Sequence, residues 1–343
     1  MTGVPGEPGT VRVGVAYPFD QPTLEAFAAV SPKLRLTFDA RYDQAGADAV
    51  CETDLEGIVG GHLPTDPSRT PSLRWVQALS AGVEGLVGPD AAPWPASVAL
   101  TNARGVYAIP IAQYTIAAIL DVAEHGDARR AQQALASWPD AQGPFTGRSI
   151  RGSTLLIVGY GGIGREIARL AKAHGMRVLA VKANPSLIAD DGFRMPGTGD
   201  PEGTIPDRIG GLTELAEMAG QADFVSITLP LTQHTLGIVS RDILAALPQH
   251  AWIINTGRGP VVDESALDET LAAGRIGGAV LDVFGEEPLP ASSPFWRRPN
   301  VVVTPHVSGA GATIELKTLV AENLRRFVEG EPLLNRVIVE RGY

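Results

Sequence analysis

Short apolar runs rich in β-branched residues alternate with Ala- and Leu-rich segments of helical length along most of the chain. This alternation predicts βα units around parallel sheets, and therefore an α/β fold. In the first part of the chain it predicts strands over Val11–Ala16, Leu34–Asp39, 57–59, 75–78 and 98–101. In the second part it predicts strands over Thr154–Val158, Arg177–Val181, 224–229, 252–255, 278–282 and 301–304.

Two helical segments indicate how these two groups of strands are connected. The segment 109–130 is apolar around much of its circumference, which predicts a buried helix that links the groups. The segment 312–329 follows the second group and is expected to return to the first, which makes the first domain discontinuous. We therefore expect one domain over 1–104 and 311–343 and another over 105–310, with a surface loop over the Gly-, Pro- and Asp-rich stretch 197–211.

Composition narrows the possible partners and compartment. A chain of 343 residues that is 44% hydrophobic is long and apolar enough for two cores. The net charge of −10 disfavours nucleic acid, whose binding depends on clustered Lys and Arg. No apolar run is long enough to span a membrane, and the first residues have no apolar core of signal-peptide length, so we do not expect secretion. The single cysteine, Cys51, is compatible with the cytoplasm and excludes a disulfide framework or a Cys-rich metal site.

A glycine-rich turn follows the predicted strand Thr154–Val158 and opens a helical segment. Its residues are Gly159, Tyr160, Gly161, Gly162, Ile163 and Gly164. In such a turn the first glycine allows the tight bend, the next lets the backbone approach a pyrophosphate, and the last lets helix and strand pack closely. The helix N-terminus then favours the phosphates. The sequence therefore predicts a dinucleotide site, and the alternative is a purely structural turn.

The end of the next strand indicates which nicotinamide dinucleotide is bound. An acid that grips the ribose 2′-hydroxyl of NAD is expected about 20 residues after the turn. Lys182 follows Val181 instead. This favours NADP(H), because a cation suits a 2′-phosphate; in the alternative, Lys182 is an ordinary solvated residue and NAD(H) also binds.

Three successive predicted strands end in chemically active side chains. Arg258 lies in a Gly-flanked turn after the strand 252–255, Glu287 follows the next strand, and His306 follows the last. The carboxyl ends of parallel strands lie at one sheet edge, where ligands bind. Alternatively, Arg258 only pairs with Glu264.

Several motifs together resemble the D-isomer-specific 2-hydroxyacid dehydrogenase family, over nearly the full chain. They are GYGGIG, LPLTQHTLGIV, INTGRGPVVDE, LDVFGEEPLP and TPHVSG. The resemblance implies that Arg258, Glu287 and His306 are the catalytic trio of an oxidoreductase that interconverts small 2-keto and 2-hydroxy acids, of the glyoxylate/hydroxypyruvate reductase type. It further implies two Rossmann-like domains, with the substrate bound by the discontinuous one and the dinucleotide by the other, and a homodimer.

The resemblance also assigns residues outside the trio. It implies further cofactor contacts at Leu229, Pro230, Thr235, Thr256, Gly257 and Asp282, and a substrate loop at Ala81, Gly82 and Val83. Gln113 departs from the pattern, since an acid is common there, so no inference is drawn from charge at that site.

The chemistry of a 2-keto acid explains the trio. Reduction needs a hydride at the carbonyl carbon and a proton at its oxygen, which an imidazolium can donate near neutral pH. Glu287 would favour the charged imidazole, and Arg258 would stabilise charge that develops on the oxygen. Two alternatives stay open: a phosphoglycerate dehydrogenase-like enzyme without a regulatory domain, and a dinucleotide-sensing protein that resembles the family's corepressors.

Overall fold

Both groups of predicted strands form parallel sheets, one in each of two units of the chain. The computed structural model describes residues 9–87, 91, 93–138, 143 and 146–339. One unit comprises Met1–Tyr107 with Ala312–Tyr343, and the other comprises Ala108–Gly311. The predicted α/β class and the discontinuity of the first unit are confirmed.

The strands and helices are numbered in chain order. The strands are β1 Val11–Ala16, β2 Leu34–Asp39, β3 Leu55–Val59, β4 Trp75–Gln77, β5 Ala99–Thr101, β6 Thr154–Val158, β7 Arg177–Val181, β8 Arg208–Gly210, β9 Phe224–Ile227, β10 Trp252–Asn255, β11 Gly278–Leu281 and β12 Val301–Val303. The α-helices are α1 Gln21–Ala28, α2 Gln44–Ala49, α3 Glu84–Val87, α4 Ala108–Ala123, α5 Gly126–Ala134, α6 Gly162–Ala173, α7 Leu215–Ala219, α8 Arg241–Ala246, α9 Glu264–Ala272 and α10 Thr313–Glu329. Short 3-10 turns occupy Pro67–Arg69, Leu212–Glu214, Gly259–Val261 and Pro294–Arg297.

In the first unit, the described residues form a sheet in the order β2-β1-β3-β4-β5, with parallel pairing throughout. The helix α10 joins this unit through a buried polar contact, because Asn323 Nδ2 donates to Gln77 Oε1 over 2.7 Å. The rings of Trp75 and Phe327 also pack with their centroids 4.7 Å apart. These contacts explain why the chain returns to its first unit after the second sheet is complete.

In the second unit, the described strands form a parallel sheet in the order β12-β11-β10-β9-β6-β7-β8. The chain starts in the interior at β6, adds β7 and β8 on one side, and then adds the remaining strands on the other. The order therefore reverses between β6 and β9. In open α/β sheets this is the point beside which ligands bind, at the carboxyl ends of the strands.

Two details differ from the predictions. The segment 109–130 is not one helix, because His125 has a left-handed φ of 49° and separates the buried α4 from the more exposed α5. The prediction of a surface loop over 197–211 is wrong in part, because β8 lies within it and Asp200 is only 3% exposed. Several hydrogen bonds converge on its carboxylate and offset the free-energy cost of burying it. Among the described residues no helix is both long and apolar enough to cross a membrane.

Candidate active site

The glycine-rich turn lies at the switch point of the second sheet. Gly159 follows β6 with a φ of 110°, a left-handed conformation that favours glycine. Its carbonyl accepts a hydrogen bond from Thr228 Oγ1 over 2.7 Å, which joins the turn to the loop after β9. A Cβ on Gly164 would overlap the carbonyl oxygen of Gly159, so glycine is required for α6 to pack this closely.

The turn has the features that a dinucleotide needs. Gly161 is the N-cap of α6, and no side chain caps the helix there. A Cβ built on Gly161 meets no atom within 4 Å, so one side of the turn is open. The unsatisfied N–H groups and the dipole of a helix N-terminus attract phosphate. These residues therefore suit the pyrophosphate of a nicotinamide dinucleotide.

The side chains of the turn are directed into the protein. Tyr160, predicted to contact the cofactor, is 2% exposed, and its hydroxyl donates to Asp200 Oδ2 over 2.5 Å. Ile163 is partly buried and packs against the core between the sheet and α4. Tyr160 therefore presents its main chain, and not its side chain, to the open side of the turn.

Lys182 lies at the end of β7, where its N–H donates to Gly210 O over 3.1 Å. Its ammonium donates to the carbonyl of Leu187, so the side chain follows the turn 182–187. That turn contains Asn184 and Ser186 and has no carboxylate of its own. The turn 182–187, which would face a ribose, therefore carries an ammonium and an amide and no carboxylate.

The predicted adenine-side residues lie at the same sheet edge. Thr235 Oγ1 donates to Pro230 O over 2.6 Å and so closes the loop after β9. Leu229 is buried, and a Cβ on Gly257 would come within 2.8 Å of its carbonyl oxygen. Thr256 is also buried and donates from its N–H to Ile227 O over 3.2 Å. The loops after β9 and β10 are therefore packed together at the switch point.

Arg258 lies in the loop after β10. Its Nη1 donates to Gly257 O over 2.8 Å, and Asn255 Nδ2 donates to the Arg258 carbonyl over 3.2 Å. The following residue, Gly259, is packed so tightly that a Cβ there would overlap the carbonyl carbon of Phe284. The arginine loop and the loop after β11 are therefore in direct contact.

Glu264 is the alternative partner of Arg258 that the sequence offers. Its Oε1 accepts a hydrogen bond from Gly285 N over 2.6 Å. Burial raises the pKa of Glu264, and the nearby Glu287 raises it further, although the bond from Gly285 opposes both. Glu264 thus holds the backbone of the acid loop.

Glu287 and His306 form a hydrogen-bonded pair. His306 Nδ1 lies 2.7 Å from Glu287 Oε2, while Glu287 Oε1 accepts from Phe284 N over 2.9 Å. One carboxylate oxygen thus fixes the acid loop, and the other orients the imidazole. The His306 side chain is 49% exposed, so its Nε2 edge is accessible for proton transfer. This is the arrangement expected of an acid–base histidine.

Asp282 is fully buried behind this pair. Its Oδ1 accepts from Thr304 Oγ1 over 2.6 Å and from Val307 N over 2.9 Å, and its Oδ2 accepts from Ser308 N over 2.9 Å. Its observed contacts therefore hold the turn that carries His306. The contact with a nicotinamide that the sequence suggested stays a prediction.

In the first unit, the predicted substrate loop follows β4 and is held from its carbonyl side. The carbonyls of four successive residues accept hydrogen bonds: Leu79 from Tyr107 OH (2.5 Å), Ser80 from Ala103 N (2.9 Å), Ala81 from Asn102 Nδ2 (2.9 Å) and Gly82 from Ser80 Oγ (2.6 Å). Within the described part of the chain, the N–H groups of Ala81, Gly82 and Val83 have no acceptor. They are available to an anion.

Sequence reasoning missed the residues that support this loop. Tyr107 and Asn102 lie 28 and 21 positions from their acceptors, and no local motif marks such contacts. The described residues contain no group of three or more His, Cys, Asp or Glu side chains that could hold a metal ion.

Comparison with known proteins identifies the setting of this site. Residues 116–308 match the family described as D-isomer specific 2-hydroxyacid dehydrogenase, NAD binding domain. A glyoxylate reductase of Thermofilum pendens is 31% identical over 284 residues, which are 79% of this chain and 77% of that protein.

Two solved structures are similar over almost the whole chain. A D-isomer specific 2-hydroxyacid dehydrogenase from Xanthobacter autotrophicus Py2, in complex with NADPH and MES, has a TM-score of 0.77 and 29% identity, and covers 97% of this chain and 100% of its own. An NADPH-dependent glyoxylate/hydroxypyruvate reductase from Sinorhizobium meliloti, in complex with NADP and sulfate, has a TM-score of 0.74 and 26% identity, with coverages of 97% and 100%.

Proposed function

Because the chain belongs to the D-isomer specific 2-hydroxyacid dehydrogenase family, we propose that its substrate is a small 2-keto acid of the glyoxylate or hydroxypyruvate type. The chain is an NAD(P)-dependent oxidoreductase that acts on the CH–OH group of 2-hydroxy acids. The observation that carries the proposed mechanism is the 2.7 Å contact between His306 and Glu287.

His306 is the proton donor in the reductive direction. Its imidazolium gives a proton to the carbonyl oxygen, and in the oxidative direction the neutral imidazole takes it back. Glu287 accepts from Nδ1, which orients the ring and leaves Nε2 for the substrate. A bound reduced nicotinamide supplies the hydride for the carbonyl carbon.

Arg258 stabilises the negative charge that develops on the substrate oxygen during hydride transfer. A guanidinium presents several donors in a fixed plane and is always charged, so it can bind an oxyanion without a change of protonation. In the first unit, the N–H groups of Ala81, Gly82 and Val83 donate to the substrate carboxylate.

NADP(H) is the favoured cofactor, with NAD(H) as the alternative. Lys182 and the carboxylate-free turn that follows it support this choice, because an acid at that position would repel a 2′-phosphate. The two similar solved proteins with NADPH or NADP give independent support.

We also propose a cytoplasmic homodimer. Leu135 and Trp138, at the end of α5 and just beyond it, are 73% and 99% exposed. Large apolar side chains this exposed favour burial by a second copy. Light scattering that gives the mass of one chain at micromolar concentration would contradict the dimer.

The decisive experiment is steady-state reduction of a panel of 2-keto acids with both cofactors. His306→Gln and Arg258→Gln should each lower kcat by about 10²-fold or more while cofactor binding is retained. The matched control is Glu269→Gln, which alters an exposed pair with Arg241. Near-normal rates in either variant would refute the mechanism. Tight cofactor binding by the wild type without turnover would instead indicate a dinucleotide sensor.

A further inference from the structure

The segment 188–203, which we call the clasp, lies between β7 and β8 and is fastened to the start of α6. Arg165, the first residue after the glycine-rich turn, is 2% exposed. Its Nη2 donates to Ile188 O over 2.6 Å, and its Nη1 donates to Asp200 O. Its Nε lies 3.9 Å from Asp190 Oδ2. One buried guanidinium therefore holds the clasp through two hydrogen bonds, to Ile188 O and Asp200 O.

Tyr160 and Asp200 form a second attachment. The Tyr160 hydroxyl donates to Asp200 Oδ2 over 2.5 Å, and the N–H groups of Thr204 and Ile205 donate to the same carboxylate over 3.0 Å each. Burial alone would raise the pKa of Asp200, but these hydrogen bonds outweigh it and the pKa is lowered. The carboxylate therefore stays charged at neutral pH and accepts a hydrogen bond from Tyr160 of the glycine-rich turn.

Glu166 provides a third attachment from the second turn of α6. It is 2% exposed, and its Oε2 accepts from Gly199 N over 2.6 Å. Arg169 donates to both of its oxygens, which compensates the buried charge. The attachments come from Tyr160 of the glycine-rich turn and from Arg165 and Glu166 of α6, so the clasp and this turn form one structural unit.

The clasp continues directly from the turn 182–187, at the ribose side of the site. That turn is fixed at its start by the bond from Lys182 N to Gly210 O, and within itself by the bond from the Lys182 ammonium to Leu187 O. Ile188, the next residue, is the point that Arg165 holds. The position of the turn therefore depends on the bond to Arg165 at its far end.

We propose that Tyr160, Arg165 and Asp200 are positioning residues that set the place of the 2′-phosphate site relative to the pyrophosphate site, through the clasp. The inference rests on the proposed use of NADP(H). A binding group that is held in place before the ligand arrives loses less freedom on binding, so affinity is higher. This arrangement should therefore raise the affinity for NADP(H), which carries the 2′-phosphate, more than the affinity for NAD(H).

The test is the equilibrium dissociation constant of NADPH and of NADH, measured by calorimetry on the full chain. Tyr160→Phe removes only the hydroxyl and keeps the ring, which lies 4.8 Å from the Arg165 guanidinium. Asp200→Asn weakens the same bond from the other side. We expect the Kd of NADPH to rise about tenfold in each, from the loss of one charge-assisted hydrogen bond. The Kd of NADH should change less than about threefold, because NADH has no 2′-phosphate.

Hydrogen exchange provides the second readout. The amides of 183–203 should exchange faster in both variants, whereas Glu269→Gln, the surface control, should leave exchange and both Kd values unchanged. An NADPH Kd within twofold of wild type in both variants would overturn the proposal, as would equal increases for both cofactors. A wild type that binds NADH more tightly would instead refute the cofactor choice on which the inference rests, and this is visible before any variant is made.

Discussion

The backbone of His306 is bonded to Asp282: the His306 N–H donates to the Asp282 carbonyl oxygen over 2.9 Å. His306 also has a left-handed φ of 52°, a conformation that costs free energy for a residue other than glycine. Asp282 therefore holds His306, the proposed proton donor, through its main chain, while its carboxylate holds the residues on either side.

Replacing Asp282 tests whether this residue positions His306 or binds the cofactor. Asp282→Ala removes the acceptor for Thr304, Val307 and Ser308, so we expect a loss of about 1–3 kcal/mol in stability and a fall in kcat of at least tenfold. If Asp282 acts only through the turn, the Kd of the cofactor should change little. A large increase in that Kd with unaltered kcat would show instead that Asp282 contacts the nicotinamide.

Two glycines of the glycine-rich turn allow a matched pair of substitutions, one that should affect cofactor affinity and one that should affect stability. Gly161→Ala places its methyl group in open space at a φ of −97°, so the free energy of unfolding should be unchanged while cofactor affinity falls. Gly164→Ala should destabilise the fold by about 1–3 kcal/mol, because its Cβ would overlap the Gly159 carbonyl. Thermal unfolding and cofactor titration of both variants check this. Equal effects on affinity without any difference in stability would contradict the assigned roles.

The features that the sequence predicts well are local in the chain. The glycine-rich turn is contiguous, and Arg258, Glu287 and His306 each follow a strand, so parallel topology alone brings them to one edge. The bond between Tyr160 and Asp200 spans 40 positions, and no periodicity or motif marks it. For the same reason 197–211 resembled a solvated loop: its polar residues are satisfied by partners that are far away in sequence. The break at His125 was hidden because α4 and α5 form an almost continuous helical pattern.

Cofactor choice can be tested at Lys182. Lys182→Asp places a carboxylate at the end of β7, which should repel a 2′-phosphate and accept from a ribose hydroxyl. We expect the NADPH to NADH ratio of kcat/KM to fall by about tenfold or more. Lys182→Ala is the control that separates loss of the cation from gain of the acid. An unchanged ratio in Lys182→Asp would remove the argument for NADP(H) from this residue.

Low pH should weaken the attachment of the clasp, residues 188–203, to the glycine-rich turn. The pKa of Asp200 is lowered in the folded protein, so its contribution to stability is present above its unfolded pKa and is lost as the pH falls through the folded value. We expect the amide protection of 188–203 to decline below about pH 4. Asp200→Asn should be less protected at pH 7 and show a smaller decline, because only the attachment through Glu166 then remains to be protonated. Protection in the wild type that persists to pH 2 would contradict a role for this carboxylate in holding the clasp.

The proposed substrate loop of the first unit is held by Tyr107, whose hydroxyl donates to Leu79 O over 2.5 Å. Burial raises the pKa of Tyr107 to about 12, so the phenol stays protonated and the bond persists throughout the pH range of an assay. Tyr107→Phe frees the Leu79 carbonyl and should loosen the loop that presents the N–H groups of Ala81, Gly82 and Val83. We expect the KM for the keto acid to rise about fivefold to tenfold at every pH, with little change in the Kd of the cofactor. Tyr17→Phe, at a tyrosine outside the loop, is the control. A rise in the cofactor Kd instead of the keto-acid KM would show that the loop does not bind substrate.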